Sequence, residues 1–541
     1  MALSLTACNP KPSPTPEETV AVSELSEYTI VYPSDYTEYR MQEVNLLCDV
    51  IKNITGAAPA VADDNAQPVE KEIILGSSKR ENAFSEEINA FTSGLDYIIG
   101  IRDDKIVLGG NNFYADMRAI YDFINNYLGY DDIEDKYTDE VKPISGVKKY
   151  IYKEPYLRIL GSNFSVSAYT EQYAVRDMHD ANFNMTLIDG GLYSEDEIRD
   201  YVKWCARYEI FIIMRSIAYP EVYYDCPVFW GHCVVDEPDP EKFETVSLAC
   251  KDYTEKYSQY GWIPYVNFYG IFSSEDEEAY KATCEAYDKY FSDLFAFSYD
   301  VYFGDMSNRD RNILGIMENS RNQALKNGQE FWHYIESYNL SNGAKKPDKM
   351  FRSQSYISLC FGADCIEYFQ YGDVGENYKS EGDWSNGSLV NWDFTKNDYY
   401  YMAQSLNAEL LKIAEMCEQY ENVGAYTIMQ KNEIDYFSEL SNPYDFSDVI
   451  TEFESLIYKD TYLVGCFDKK DGEGHAFMLV DIEPLDDIPY DKSIGFPVKI
   501  KINGEDVKFY RDGELQDVKK DDDGYYILST GNGYCWFVTV D

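Results

Sequence analysis

Trp230-Gly-His-Cys-Val-Val-Asp236-Glu237-Pro238 is a short apolar run closed by two acids and a proline. It does not alternate polar with apolar residues, as suits a strand covered on both faces. Acids and a proline after such a run open a helix, and the stretch from Glu241 to Tyr260 has helical spacing. The same unit recurs on either side of it. Apolar runs at 157–163, 183–189, 209–215, 229–236, 263–269, 294–300, 330–336 and 365–370 are read as eight strands. Amphipathic segments such as Ser194 to Arg207 and Glu275 to Ser292 separate them.

Eight strand–helix units between about Pro155 and Tyr420 predict an α/β fold of the (β/α)8 TIM-barrel kind over residues 151–425. An open doubly wound sheet would carry a Gly-rich phosphate turn after its first strand, and none is present. Upstream, residues 26–150 read as an α+β domain. It has strands at Tyr28–Tyr32 and Glu72–Gly76, a hairpin through Asp103-Asp104, and helices from Glu38 to Ile54 and Tyr114 to Leu128. Downstream, residues 426–541 read as a linker and a C-terminal β-sandwich, with acidic hairpin loops at Asp468–Gly474 and Asp521–Gly524. Neither loop has the EF-hand spacing, so both are read as turns.

With 47 Lys+Arg against 96 Asp+Glu, the net charge of −49 repels nucleic acid and anionic headgroups. Aromatics make up 16% of the chain and 51 of them are Tyr, a composition compatible with stacking on sugar rings and equally with core filling. The 12 cysteines are scattered through strand-like and helix-like runs without a CxxC pair, the pattern of buried thiols. His179, His232, His333 and His475 lack zinc-ligand spacing, so no metal and no organic cofactor are expected. Residues 1–25 hold Leu5-Thr6-Ala7-Cys8 and a Pro-rich tether from Asn9 to Pro16. The first resembles the bacterial lipobox, which implies lipidation of Cys8 and a lipid-anchored protein at the cell surface.

Catalytic groups of a (β/α)8 barrel sit at the carboxyl ends of its strands. The fourth strand ends in Asp236-Glu237 and the seventh in Phe331-Trp-His-Tyr-Ile-Glu336. Two carboxyls facing each other across a barrel mouth are the equipment for cleaving a glycosidic bond. Acids after an apolar run are equally a helix start, and Asp300 or Glu367 could replace Glu336.

The pattern resembles the large clan of retaining glycosidases. The resemblance rests on Val-Val-Asp236-Glu237-Pro238, Ala181-Asn-Phe-Asn184, Phe297-Ser-Tyr-Asp300-Val-Tyr302 and Gly362-Ala-Asp-Cys-Ile-Glu-Tyr-Phe369. It implies Glu237 as acid/base and Glu336 as nucleophile, acting on a carbohydrate. Substrate contacts are expected from Asp236, Arg215, Tyr269, Asp300, Tyr302 and Glu367, with Tyr299 a further stacking ring. Trp384 and Trp392, in the long segment Tyr371–Asp398, would stack on sugar.

Asp236 departs from the Asn usual in that clan and opens a second mechanism. The upstream domain, through Glu72-Ile-Ile-Leu-Gly76, Arg80, Tyr97-Ile-Ile-Gly100 and Ile106-Val-Leu-Gly-Gly110, resembles the one preceding the barrel of β-hexosaminidases and α-glucuronidases. In hexosaminidases an Asp-Glu pair ends strand four and the substrate's acetamido group is the nucleophile. A third reading is a surface glycan-binding protein on a barrel without catalysis.

Overall fold

A computed structural model of the 541-residue chain describes residues 18–163, 171–269, 277–302, 313–337, 348–372, 388–391, 393–429, 440, 442–456, 461–482, 495–531, 533 and 535–541. Cys8, Trp384 and Trp392 lie outside them. The chain divides into two compact units, one to Lys153 and one from Glu154.

The first unit is a six-stranded sheet in the order Val147–Tyr150, Tyr97–Arg102, Lys105–Gly109, Glu72–Leu75, Thr29–Tyr32, Ala60–Asp63. Helices Met41–Thr55 and Phe113–Asn126 accompany it. Asp103 and Asp104 both take positive φ, 54° and 60°, as a two-residue hairpin turn requires. The sequence motifs of this unit have physical reasons. Glu72 is buried and ion-paired with Lys105 at 2.5 Å and with Arg80 at 3.5 Å. Gly109 has φ +128°, and a β-carbon there would lie 1.9 Å from the Asp116 carboxylate. Asp116 in turn accepts hydrogen bonds from the Ser77 and Gly110 amides and the Tyr36 hydroxyl.

In the second unit eight parallel strands close into a barrel. They are β1 Arg158–Asn163, β2 Met185–Ile188, β3 Phe211–Met214, β4 Phe229–Asp236, β5 Ile263–Tyr269, β6 Ala296–Asp300, β7 Glu330–Glu336 and β8 Cys365–Phe369. Each lies within or coincides with a run read as a strand from the sequence. β1 pairs with β2 on one side and with β8 on the other, which closes the ring. Helices Glu195–Tyr208, Phe243–Tyr257 and Glu277–Phe291 occupy the predicted segments. The first is capped by a reciprocal Ser194–Glu197 capping box.

Leu160, Met185, Leu187, Ile213, Cys233, Tyr265, Ala296, Trp332 and Cys365 pack together as the barrel core. Side chains of a strand alternate between faces, so these residues fix which positions point inward. On β5 they are Tyr265, Asn267 and Tyr269; on β6, Ser298 and Asp300; on β7, Tyr334 and Glu336; on β8, Glu367.

The same unit continues into two packed sheets. One has the order Tyr420–Met429, Thr461–Lys469, His475–Asp481, Cys535–Val540, Val507–Arg511, Glu514–Gln516; the other has Ile450–Ser455, Phe496–Ile502, Tyr526–Thr530. Tyr462, Val464, Phe477 and Leu479 of the first sheet pack with Val498, Ile500 and Leu528 of the second, forming the expected sandwich. The sandwich starts at Tyr420 rather than after 425, because that strand pairs along its length with Thr461–Lys469. Arg352, nearly fully buried, fastens barrel helices to the sandwich. It bonds to Glu409, to Tyr356 at 3.0 Å and to the Gly533 carbonyl at 3.1 Å, and lies 3.7 Å from Asp512.

The eleven described cysteines are all free thiols, nine of them buried. Among the described residues no cluster suited to a metal occurs, and no helix is long and apolar enough to cross a membrane.

Candidate active site

The site is built by a fault in β4. Cys233 pairs with Tyr265, but Val235 pairs with the next residue, Val266, so one residue of β4 is left over at Val234. This bulge changes the alternation. Cys233 points inward, and three residues later Asp236 does too, opposite Asn267. Gly231 allows the pairing to begin, since a β-carbon there would lie 2.1 Å from the Ile263 carbonyl. Glu237 then leaves the strand with φ +49°, a left-handed conformation that a non-glycine residue holds only where its surroundings enforce it. Its amide donates to the Asn267 carbonyl at 2.8 Å, which pins the turn.

Three acids meet at the mouth. The Glu237 carboxyl and the Tyr302 hydroxyl both lie beside the Asp300 carboxyl. Asp300 is 5% exposed. Burial, the adjoining Glu237 carboxyl and the nearby charge of Asp236 hold its carboxyl well above the usual carboxylate range. Asp236 accepts from Asn267 Nδ2 at 3.0 Å. Its pKa is raised first by burial and also by Glu237, against the opposing pull of Asn267 and of Arg215. Asp236, Glu237 and Asp300 therefore form a carboxyl cluster, with Arg215 as the cation near Asp236.

Glu336 closes β7 on the inward face and is 2% exposed. Gln354 grips its backbone, accepting from the Glu336 amide at 2.9 Å. Tyr269, the last residue of β5, stands opposite Asp300 in register and is 41% exposed. Tyr302 lies against Phe369, ring centroids 6.2 Å apart. Arg215, Asp236, Glu237, Tyr269, Asp300, Tyr302 and Glu336 are thus all at the carboxyl ends of strands.

Two sequence expectations are corrected here. Glu367 points inward but is fully enclosed below the mouth, with Tyr265 and Ser298 on its two oxygens at 2.7 Å each. It is not placed to touch a sugar. Tyr299 points the other way from Ser298 and Asp300, stacked on Phe331 in the layer between barrel and helices, so it offers no platform. Sequence reading missed Tyr265, Asn267, Ser298 and Tyr334, the polar inward positions of β5, β6 and β7. Their signal was available: polar groups at every second position of strands that are otherwise apolar.

No protein-family model and no curated protein matches the sequence. Among solved structures, likenesses are to glycoside hydrolases. GH5_18 from Streptomyces cattleya, in complex with GlcNAc, is 11% identical, with 48% of this chain and 81% of that one covered and a TM-score of 0.36. A mutant Streptomyces plicatus β-hexosaminidase in complex with GlcNAc is 11% identical over 74% of this chain and 92% of its own, TM-score 0.33. An α-amylase from Malbranchea cinnamomea is 9% identical over 71% and 96%, TM-score 0.35. At these values the likenesses decide neither the architecture nor the ligand of this chain.

Proposed function

We propose that this chain is a glycoside hydrolase in which Glu237 is the acid/base and Glu336 the nucleophile. The observation that carries the reading is the meeting of Glu237 with the buried Asp300, whose carboxyl is held well above the usual carboxylate range. It sets a weakly acidic carboxyl beside Glu237 at the mouth, within reach of whatever occupies it. In the first step the Glu336 carboxylate attacks the anomeric carbon as the bond to the leaving oxygen breaks, and Glu237 gives that oxygen its proton. Water then attacks the glycosyl-enzyme ester, Glu237 takes the water's proton, and Glu336 leaves. Asp300 supports the cycle by keeping a proton on the pair.

A second reading, the substrate-assisted one, draws on Asp236. The bulge turns it inward and Asn267 holds one of its oxygens, leaving the other to orient an acetamido group beside Glu237. The test is hydrolysis of a panel of aryl glycosides, N-acetylglucosaminides and galactosides included, by wild type, Glu237→Gln, Glu336→Gln and Asp236→Asn. Loss in both Glu variants across sugars supports the two-glutamate route. Activity confined to N-acetyl sugars, surviving Glu336→Gln and lost in Asp236→Asn, moves the assignment to the second. Glycan-array binding without hydrolysis would indicate the non-catalytic binder.

Surface attachment through Cys8 is part of the proposal and rests on Leu5-Thr6-Ala7-Cys8 and its Pro-rich tether. Incorporation of labelled fatty acid in a bacterial host, abolished by Cys8→Ala, tests it.

A further inference from the structure

Glu367 is a carboxyl inside the barrel that neither proposed route uses. It is fully buried at the centre of β8. The ionisable groups that face it are Tyr265 of β5, Tyr334 of β7, Cys233 and Asp236 of β4, and Cys365 of its own strand. None is a cation. Burying an unpaired carboxylate among them is costly, whereas a carboxylic acid is not.

The hydrogen bonds run from Glu367 through Ser298 and Asn267 to Asp236, with the Tyr265 hydroxyl beside both Glu367 and, at 2.8 Å, Ser298 Oγ. Tyr265 donates to Glu367 Oε1 at 2.7 Å. Ser298 Oγ lies 2.7 Å from Glu367 Oε2 and 3.1 Å from Asn267 Oδ1. Asn267 Nδ2 lies 3.0 Å from Asp236 Oδ1. Ser298 has one proton and cannot serve both neighbours. If Glu367 is ionised, it takes that proton and leaves the buried Asn267 Oδ1 without it. If Glu367 is protonated, its own O–H donates to Ser298 and Ser298 donates to Asn267. The amide is then oriented with its NH2 group toward Asp236.

We propose that Glu367 is a positioning residue. As a carboxylic acid it sets Ser298, Ser298 sets Asn267, and Asn267 holds Asp236 for the substrate. The proposal rests on the glycosidase reading for its consequence, but not for its structural content. Burial, reinforced by Asp236 and opposed by Ser298 and Tyr265, pushes the Glu367 carboxyl up to about 8, consistent with a proton held at neutral pH. Gln at this position would reproduce the chain, its NH2 donating to Ser298 and its carbonyl accepting from Tyr265.

Two experiments test it. In infrared difference spectra of wild type minus Glu367→Gln at pH 6.5, a protonated carboxyl band assigned to residue 367 is expected. Carboxylate bands alone would overturn the proposal, whether or not a sugar substrate is found. For kcat/KM on an active aryl glycoside, Glu367→Leu and Ser298→Ala are each expected to lose about tenfold or more. Glu367→Gln should restore activity to within a few-fold of wild type, and the Leu/Ala double variant should be no worse than either single, as for one chain. A Gln variant as impaired as Leu, or fully additive losses, would overturn it. Absence of turnover by the wild type counts against the glycosidase reading instead, and the infrared result still decides the protonation and hydrogen-bond direction.

Discussion

Glu237, just past the end of β4, and Asp300, 63 positions later at the end of β6, bring their carboxyl groups together at the barrel mouth. Burial and the neighbouring acid both disfavour the ionised form of Asp300. Asp300 therefore keeps its proton to a higher pH than an isolated carboxyl does.

Asp300→Asn should therefore move the alkaline limb of the kcat/KM profile to lower pH, by about one unit or more. The sign follows from the raised pKa of Asp300, whose proton is lost at higher pH than that of an ordinary carboxyl, and with it the site's ability to protonate a leaving group. A pH–rate series on one aryl glycoside checks this. An unmoved limb would assign Asp300 no part in the proton transfer.

Glu336→Ala should lower kcat by roughly a thousandfold or more, as loss of a nucleophile does. Added azide should restore turnover and yield a glycosyl azide of inverted configuration, read by NMR. Retention of more than a tenth of the activity would exclude Glu336 as nucleophile.

Arg352→Ala should destabilise the second unit by about 3–5 kcal/mol, because it removes the buried cation that pairs with the buried acids Glu409 and Asp512. The measurement is chemical denaturation followed by Trp fluorescence. A change below about 1 kcal/mol would mean that the cluster is solvated or self-compensating.

His333 is fully buried, with Ser358 on Nδ1 at 2.7 Å and the Val301 carbonyl on Nε2 at 3.1 Å. Burial lowers its pKa to about 4, below the unfolded value of about 6.5. The unfolded chain thus binds the extra proton first. Stability contributed by this site is present above about pH 6.5 and is lost as pH falls toward 4, by roughly 3 kcal/mol in total. Urea denaturation at pH 7, 5.5 and 4.5 should show a shallower decline in His333→Gln than in wild type. Parallel declines would show that acid lability originates elsewhere.

The barrel was legible because its strands are buried on both faces, which makes each a continuous apolar run that a linear reading detects. The helices between them carry their own caps, Ser194 with Glu197 among them. Acids at the ends of β4 and β7 could be found by counting units. The sandwich was less legible at its start, since Tyr420–Met429 is interrupted by Gly424, where the pairing shifts register.

What the order of residues determined by itself is the succession of strands and helices, because each element's burial pattern is local. It also determined that carboxyls stand at strand ends. Which carboxyls touch was decided only in three dimensions. One extra residue at Val234 turns Asp236 into the barrel, and the curvature of the sheet brings the end of β6, two strands along, toward it, so that Asp300 rather than a neighbour in sequence meets Glu237. Glu367, read as a sugar contact, is sealed two residues short of its strand end by Tyr265 and Ser298 from strands about 70 and 100 residues away. Alternation along a strand is written in the chain, but its phase after a bulge and the neighbour it meets across a closed barrel are properties of the packed whole.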